Sequence, residues 1–354
     1  MKITKVEPIE IDIPWKEGIR EHMDWAAQPH RSWLYKVYTN EGIVGLCENT
    51  LDMRGEIPKL IGRDPLDLLM DDRYWPLQEA LYDIVAQDLN VPVYKLLGKK
   101  YRERVAVCYW VHNFPPDLLA REAALALEGG FTTIKFKVRP RLDPVEQVKS
   151  IAKDVPEISI IPDANGTLWL PSRAIKFARE VEKYSILCIE SPIPHPDIEG
   201  YLTIRSRVNI PVAAHLGSRY GYDPVTAVSR GMCDYYVLEE PGVASTMKVA
   251  AITELACGEQ HASGDEGRGY TFGGRPIWVE GFGRTGVSEA FQVHLSTVIK
   301  TDVLPAPLFI HRLREHPLVE DPLEVKDGYV KVPEKPGLGV TIDEKALEKY
   351  RIKK

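Results

Sequence analysis

The chain has 354 residues, 44% apolar and 27% charged, an ordinary balance for a globular protein with a large core. Its formal net charge is −6 and it carries no basic block, which argues against nucleic acid and anionic membrane as partners. An anionic substrate therefore has to be met by local positive groups, and one barrel of about 250 residues plus a smaller domain fits the length.

The N-terminus, MKITKVEPIEIDIPW, alternates faces as a strand does and lacks the apolar core and cleavage site of a signal peptide. No apolar run approaches the roughly 18 residues needed to span a bilayer. The five cysteines, Cys47, Cys108, Cys188, Cys233 and Cys257, are odd in number and lack C-x-x-C spacing. That fits neither a disulfide framework nor a zinc knuckle, and free cysteines are usually small core residues. A cytoplasmic location is expected. Glu17–Arg31 is polar and aromatic without a clear period and reads as a loop that either moves in solvent or covers something. Trp33–Glu48 reads as two strand runs around the turn Thr39-Asn40-Glu41-Gly42. From Ile57 to Leu97 the apolar spacing of three and four predicts helix.

From Arg104 onward short apolar runs alternate with amphipathic stretches, the pattern of βα units and a parallel sheet. The strands read as Val105–Trp110, Thr133–Val138, Ser159–Asp163, Ile186–Glu190, Pro211–His215, Tyr235–Glu239, Pro276–Gly281 and, weakest, Val303–Leu308. Eight such units close a (β/α)₈ TIM-type barrel. The long polar, glycine-rich piece His261–Arg275 precedes the seventh strand, and a loop of that kind is functional or disordered. Its His261, Asp265 and Glu266 belong to a lid or to a solvated surface. The tail Pro322–Lys354 leaves the barrel rhythm and ends in a helix N-capped by Asp343. It is expected to return to the N-terminal unit, giving an α+β capping domain of residues 1–104 plus 322–354 around a barrel of 105–321.

Catalytic groups of a barrel come from the C-terminal ends of several strands. The second strand carries Lys135 and Lys137, which point the same way because they are two apart. The third ends in Asp163, the fourth in Glu190, the fifth in His215 and the sixth in Glu239 and Glu240, and the seventh carries Glu280. Two carboxylates on adjacent strand ends suit a hard divalent cation such as Mg²⁺. Two lysines beside it are expected to fall in pKa through like charge and burial, and a lysine near neutral pKa acts as a base. Each charge taken singly also reads as a solvated loop residue; the set at successive strand ends favours chemistry. Asn165 follows Asp163 by two positions and reads as a support to the site. His294 lies in a helical stretch and reads as structural by its period, whereas His311 follows the last strand, within reach of the mouth.

Lys135-Phe136-Lys137, Asp163 in PDANG and Glu190 in IESP resemble the mandelate racemase/muconate lactonizing branch of the enolase superfamily. The tail DPLEVKDGYVKVPEKPGLGV and the stretch DIVAQDLNVPVYKLLG are similar to that family's C-terminal signature and to the end of its capping domain. The resemblance covers essentially the whole chain. It implies Lys137 as the base that removes a proton α to a carboxylate, Lys135 as the cation that helps neutralise that carboxylate, and Asp163 and Glu190 as ligands of Mg²⁺ or another divalent cation. It implies that 17–31 and 49–56 lie over the mouth as specificity loops, and that the chain forms a homo-oligomer.

The family's third carboxylate ligand is replaced here by His215 and Leu216. His215 offers an imidazole as ligand or acid/base group, although Mg²⁺ prefers oxygen, and it also reads as a hydrogen-bonded barrel histidine. AAHLG and RPIWVEGFGRTG resemble a divergent subgroup of the family. No histidine at the seventh strand and no lysine on the sixth supplies a second base. A one-face elimination is easier to write than racemisation, so the expected activity is dehydration of a hydroxy acid such as a sugar acid. Lys137 would be the base, and His215 or Glu280 would help hydroxide leave. The alternatives are a cycloisomerase or N-acyl amino acid racemase of the same superfamily, and a ligand-binding barrel that has lost its metal and its catalysis.

Overall fold

The N-terminal alternation folds as strand β1 (Ile3–Asp12), paired antiparallel with β2 (Arg31–Thr39), which pairs antiparallel with β3 (Val44–Asn49). The turn between β2 and β3 places Gly42 at φ 81°, a conformation that favours glycine. The computed structural model describes residues 1–256, 260–262, 270–272, 274–281 and 283–353. The segment expected to be a loop after β1 instead contains a helix, Glu17–Trp25, which buries Ile19 and Met23. One i, i+4 apolar pair in nine residues is too short a stretch to display a period, but it suffices to dock one turn. The helical pattern of 57–97 is broken into helices Ile57–Leu60, Gln78–Asp88 and Tyr94–Leu97 with 3₁₀ turns Pro65–Leu68 and Asp72–Tyr74 between them. Pro65, Pro76 and Pro92 divide it, since a proline donates no helical hydrogen bond and restricts the residue before it.

The expected first barrel strand splits in two. Its start, β4 (Arg104–Ala106), leaves the barrel, and its end, β5 (Tyr109–Val111), enters it. There follow β6 (Thr133–Lys137), β7 (Ser159–Asp163), β8 (Ile189–Glu190), β9 (Val212–Leu216) and β10 (Tyr235–Leu238). The hairpin β11 (Gln260–Ala262) and β12 (Tyr270–Phe272) precedes β13 (Ile277–Val279). Strands β5 to β10 and β13 form one parallel sheet in the order β13-β10-β9-β8-β7-β6-β5. The eighth strand, expected over 303–308, is reduced to parallel bridges from Asp302 to Ile277 and from Ala306 to Val107, which close the barrel. Pro305 and Pro307 explain this, because neither can donate to a ladder.

Helices follow the strands, and two of them begin alike: Asp143 and Asp223 each accept a backbone N–H two residues on, with proline at the first helical position. After the eighth strand there is only a 3₁₀ turn, Ile310–Leu313. In the tail, β14 (Val325–Lys326) and β15 (Tyr329–Lys331) form a hairpin that pairs with β4. The last helix, Glu344–Tyr350, starts at Asp343, whose side chain accepts from the Lys345 and Ala346 backbone. It buries Ala346, Leu347 and Tyr350 in the same apolar cluster as Ile9, Ile11 and Leu34.

Cys47, Cys108, Cys188 and Cys233 are free and buried. Cys257, Asp265 and Glu266 lie outside the described residues, as do 263–269 of the long loop. Among the described residues no helix is long and apolar enough to cross a membrane.

Candidate active site

Parallel pairing sets Lys137 opposite Asp163 and Asp163 opposite Glu190. Three successive strand ends thus deliver a cation and two carboxylates at one level of the mouth. Lys135 shares the inward face of β6 one pleat below. Its Nζ lies 2.6 Å from Glu190 Oε2 and 3.4 Å from Asp163 Oδ2, and it donates to Glu280 Oε1. Trp278, two residues before Glu280, donates its indole N–H to the same oxygen at 2.9 Å. Lys137 Nζ is 2.5 Å from Asp163 Oδ2. The two lysines differ in access: the Lys135 side chain is 0% exposed and that of Lys137 15%.

Burial opposes the charge of Lys135, but Glu190, Glu280 and Asp163 outweigh it and hold its pKa well above the ordinary lysine value. Facing three carboxylates, which outweigh both burial and the neighbouring Lys137, Lys135 does not by itself show the fall expected of a lysine beside a divalent cation. Asp163 is buried too, yet Lys137 and Lys135 hold its carboxyl far below the usual range. Glu280 is lowered to about 2, Lys135 and His215 outweighing its burial. Glu190 is raised, first by burial and then by Asp163. At His215 burial works against the charged form, and the bond to Glu190 with the charges of Glu280, Glu190 and Glu239 reverses it, so its pKa rises.

Glu190, His215 and Glu280 each offer a donor atom, and these atoms lie within 4.8 Å of one another. This triad could hold a divalent cation. Both Glu190 oxygens are buried, Oε2 2.6 Å from Lys135 Nζ and Oε1 3.2 Å from His215 Nε2, and a carboxylate oxygen with one such neighbour keeps a lone pair for a cation. Two carboxylates and one imidazole suit Mg²⁺ through oxygen and suit softer divalent ions through nitrogen. Asp163, expected beside Glu190 as a ligand, has Oδ2 engaged by Lys137 and Oδ1 by the Asn165 backbone N–H at 3.0 Å.

His215 also belongs to a cluster of three rings. Its centroid is 4.8 Å from that of Tyr220 and 5.4 Å from that of His195, and those two are 5.0 Å apart. Tyr220 donates to Glu239 Oε2 at 2.6 Å, and the same oxygen is 3.6 Å from His215 Nδ1. His195 Nε2 meets Ser191 Oγ at 2.9 Å, and burial followed by the neighbouring His215 lowers its pKa to about 4. On the opposite side His112 is lowered to about 4 by burial, then by Arg139 and Lys137. Gly217 leaves room that a side chain would deny, since a Cβ there would overlap the Glu240 carboxylate.

Asn165 is exposed, takes φ 44° and accepts from Arg139 at 2.8 Å at the rim. His311 does not join the cluster: its Nδ1 bonds Glu289 and its backbone N–H donates to the same carboxylate at 3.2 Å. His294 is buried, with Nε2 3.1 Å from the Leu338 carbonyl. His112, Arg139, His195 and Tyr220 escape a reading confined to strand ends. Each sits just past a barrel strand, so extending the search into the βα loops would have found them. Trp278 lies inside its strand and looks like ordinary core.

Residues 118–262 and 273–346 match the family Enolase C-terminal domain-like. N-succinyl-L-Arg/Lys racemase of Bacillus cereus is 25% identical, over 99% of this chain and 98% of its own. D-gluconate dehydratase of Thermoproteus tenax is 27% identical, over 92% of this chain and 70% of its own. The structure of muconate cycloisomerase from Pseudomonas fluorescens superposes with a TM-score of 0.77 at 20% identity, covering 99% of each chain, and shares the fold. With the family pattern matched along more than half of its length and the barrel fold shared from end to end, this chain belongs to the Enolase C-terminal domain-like family, in the mandelate racemase/muconate lactonizing branch of the enolase superfamily.

Proposed function

We propose that the protein abstracts a proton α to the carboxylate of a small hydroxy acid and eliminates water, with Lys137 as the base. The carrying observation is the unequal access of the two lysines. Lys135 is sealed among Glu190, Glu280 and Asp163, whereas Lys137 stands at the mouth, partly exposed, at the level of Asp163 and Glu190. A base must reach substrate, and a buried ammonium held well above its ordinary pKa serves instead as a fixed positive charge. A divalent cation bound by Glu190, His215 and Glu280 would supply electrostatic stabilisation to the charge that develops on the substrate carboxylate.

Glu280 already accepts from Lys135 and Trp278 and is ill placed to donate a proton to a leaving hydroxide. His215 is the better placed acid through Nδ1, which faces Glu239 at 3.6 Å beside Tyr220 and stays available when Nε2 faces the cation. Two hydroxy-acid dehydratases support the class: the D-gluconate enzyme, and D-galactonate dehydratase of Xanthomonas oryzae pv. oryzae at 25% identity over 90% of each chain. The end-to-end match to the racemase favours a second reading, proton return to the opposite face from His215 or Glu239.

The test is incubation with a panel of sugar acids and N-succinyl amino acids in deuterated water with Mg²⁺ or Mn²⁺. The expected result is α-deuterium incorporation and water loss from a sugar acid, both lost by about a hundredfold or more in Lys137→Ala. Exchange that survives Lys137→Ala overturns the assigned base, and exchange with inversion but no water loss selects the racemase. Bound-metal analysis of His215→Asn separates its roles: metal loss makes it a ligand, while retained metal with exchange but no elimination makes it the acid.

A further inference from the structure

Outside the mouth, a cavity of about 390 Å³ opens between the helix Glu17–Trp25 and the barrel wall, lined by Lys16, Gly18, Tyr109, Arg121, Glu122 and Arg312 among others. It exists because the eighth unit has no helix. The outer side of β5 is covered instead by the N-terminal helix, whose Ile19 and Met23 pack in one cluster with Tyr109 and Phe131. A short helix covers less than a full barrel helix, and the uncovered remainder is this cavity.

Its charge is unbalanced. Lys16, Arg121 and Arg312 bring three cations, and none forms an ion pair among the described residues. Arg121 reaches only the Gly18 carbonyl, at 3.4 Å. Arg312 Nε is buried without a hydrogen-bond partner. The one carboxylate, Glu122, is 5% exposed and spends an oxygen on Tyr109, whose hydroxyl donates to it at 3.0 Å. Burial raises Glu122 above its ordinary pKa, while Tyr109, Arg121 and Lys16 work against that rise, so it offsets one of the three cations. At the cavity edge the helix Glu17–Trp25 begins at Lys16 without a side-chain cap, so its first N–H groups add positive potential. Ile19 and Phe131 supply an apolar floor.

We infer that this cavity is a binding site for a small organic dianion, a dicarboxylate or a phosphate monoester, held by Lys16, Arg121 and Arg312. Three cations against one engaged carboxyl leave about two positive charges, which a dianion balances and a monoanion does not. The site is also connected to the mouth. The far end of the same helix reaches the loops after β5 and β6: His22 lies 5.7 Å from Phe114, and Arg141 is stacked 4.3 Å over Trp25. A dianion bridging Lys16 to Arg121 and Arg312 ties the start of the helix to the barrel and steadies those loops beside Lys137.

The test is calorimetric titration of the full chain with succinate, inorganic phosphate and acetate, repeated on Arg121→Gln, Arg312→Gln and Lys137→Ala. Arg121 is exposed and forms no ion pair among the described residues, so its replacement is expected to leave folding intact and keeps the test informative if Arg312→Gln is unstable. The expected result is 1:1 binding of succinate or phosphate, at least about tenfold tighter than acetate, weakened at least about tenfold by Arg121→Gln and unchanged in Lys137→Ala. The tighter dianion identifies the carboxylate or the phosphate class. Unchanged binding in Arg121→Gln, loss in Lys137→Ala, or no binding of either dianion at concentrations on the order of 10 mM overturns the assignment.

Discussion

Two lysines two residues apart end in different situations because a strand rises only one pleat between them. Lys135 reaches the level of Trp278 and is sealed; Lys137 reaches the rim. Lys135 holds together Glu280, Glu190 and Asp163, which would otherwise repel one another inside the barrel. Removing one partner of a buried ionic group leaves the others uncompensated, at a cost of about 3–5 kcal/mol. Lys135→Met is therefore expected to lower unfolding free energy by about that amount in denaturant titration, and Lys137→Ala by less than half of it. Equal losses would mean that the rim lysine is as integral to the charge cluster as the sealed one. A divalent cation is expected to restore part of the loss in Lys135→Met, by supplying positive charge to the same carboxylates.

At the level of elements, what was legible is what repeats. Seven barrel strands stand where short β-branched and apolar runs end in polar residues, because each is fenced by turn or helix-start signals. The eighth was the faintest, and Pro305 and Pro307 explain why it is hardly a strand at all. The helix Glu17–Trp25 has no periodic signature in the sequence, since its buried face is two residues wide and the barrel wall opposite gives Ile19 and Met23 their reason to be ordered. Lys135, Lys137, Asp163, Glu190 and His215 could be read from strand ends alone. The tie from Lys135 to Glu280 spans 145 residues, and no local pattern announces it. Where a signal is local, its energy is local too. Asp343 caps the final helix through two backbone N–H groups, and Asp343→Ala is expected to cost about 1 kcal/mol. Hydrogen exchange should quicken in 344–350 and not in the barrel; faster exchange throughout would show that the tail helix carries more of the fold than its cap suggests.

The whole molecule is joined by one device used twice. Glu48, fully buried on β3, accepts from the Arg284 and Thr285 backbone at 2.8 and 3.1 Å and from the Ser288 hydroxyl at 3.1 Å, at the start of the barrel helix Gly286–Val298. Asp72 does the same for the helix Val243–Leu255, accepting from the Ala244 and Ser245 backbone at 3.0 and 2.8 Å. A carboxylate from the N-terminal region thus satisfies orphan N–H groups and favours the positive end of each helix. These ties are added to a shared core, for Ile9, Ile11, Leu34 and Tyr82 lie in one apolar cluster with Leu216, Leu238 and Phe291. Each tie is worth about 1–2 kcal/mol by the usual cost of a lost cap, whereas every fully buried side chain of that cluster contributes about as much again. The core should therefore decide cooperativity. Glu48→Ala and Asp72→Ala, singly and together, are expected to lower the melting temperature in calorimetry while leaving one transition. An endotherm that splits in two in the double variant would show that the carboxylates, and not the core, fasten the N-terminal region to the barrel. In that case protease should cut the undocked residues 1–100 before the barrel loops, and deuterium should enter the first turns of both capped helices early.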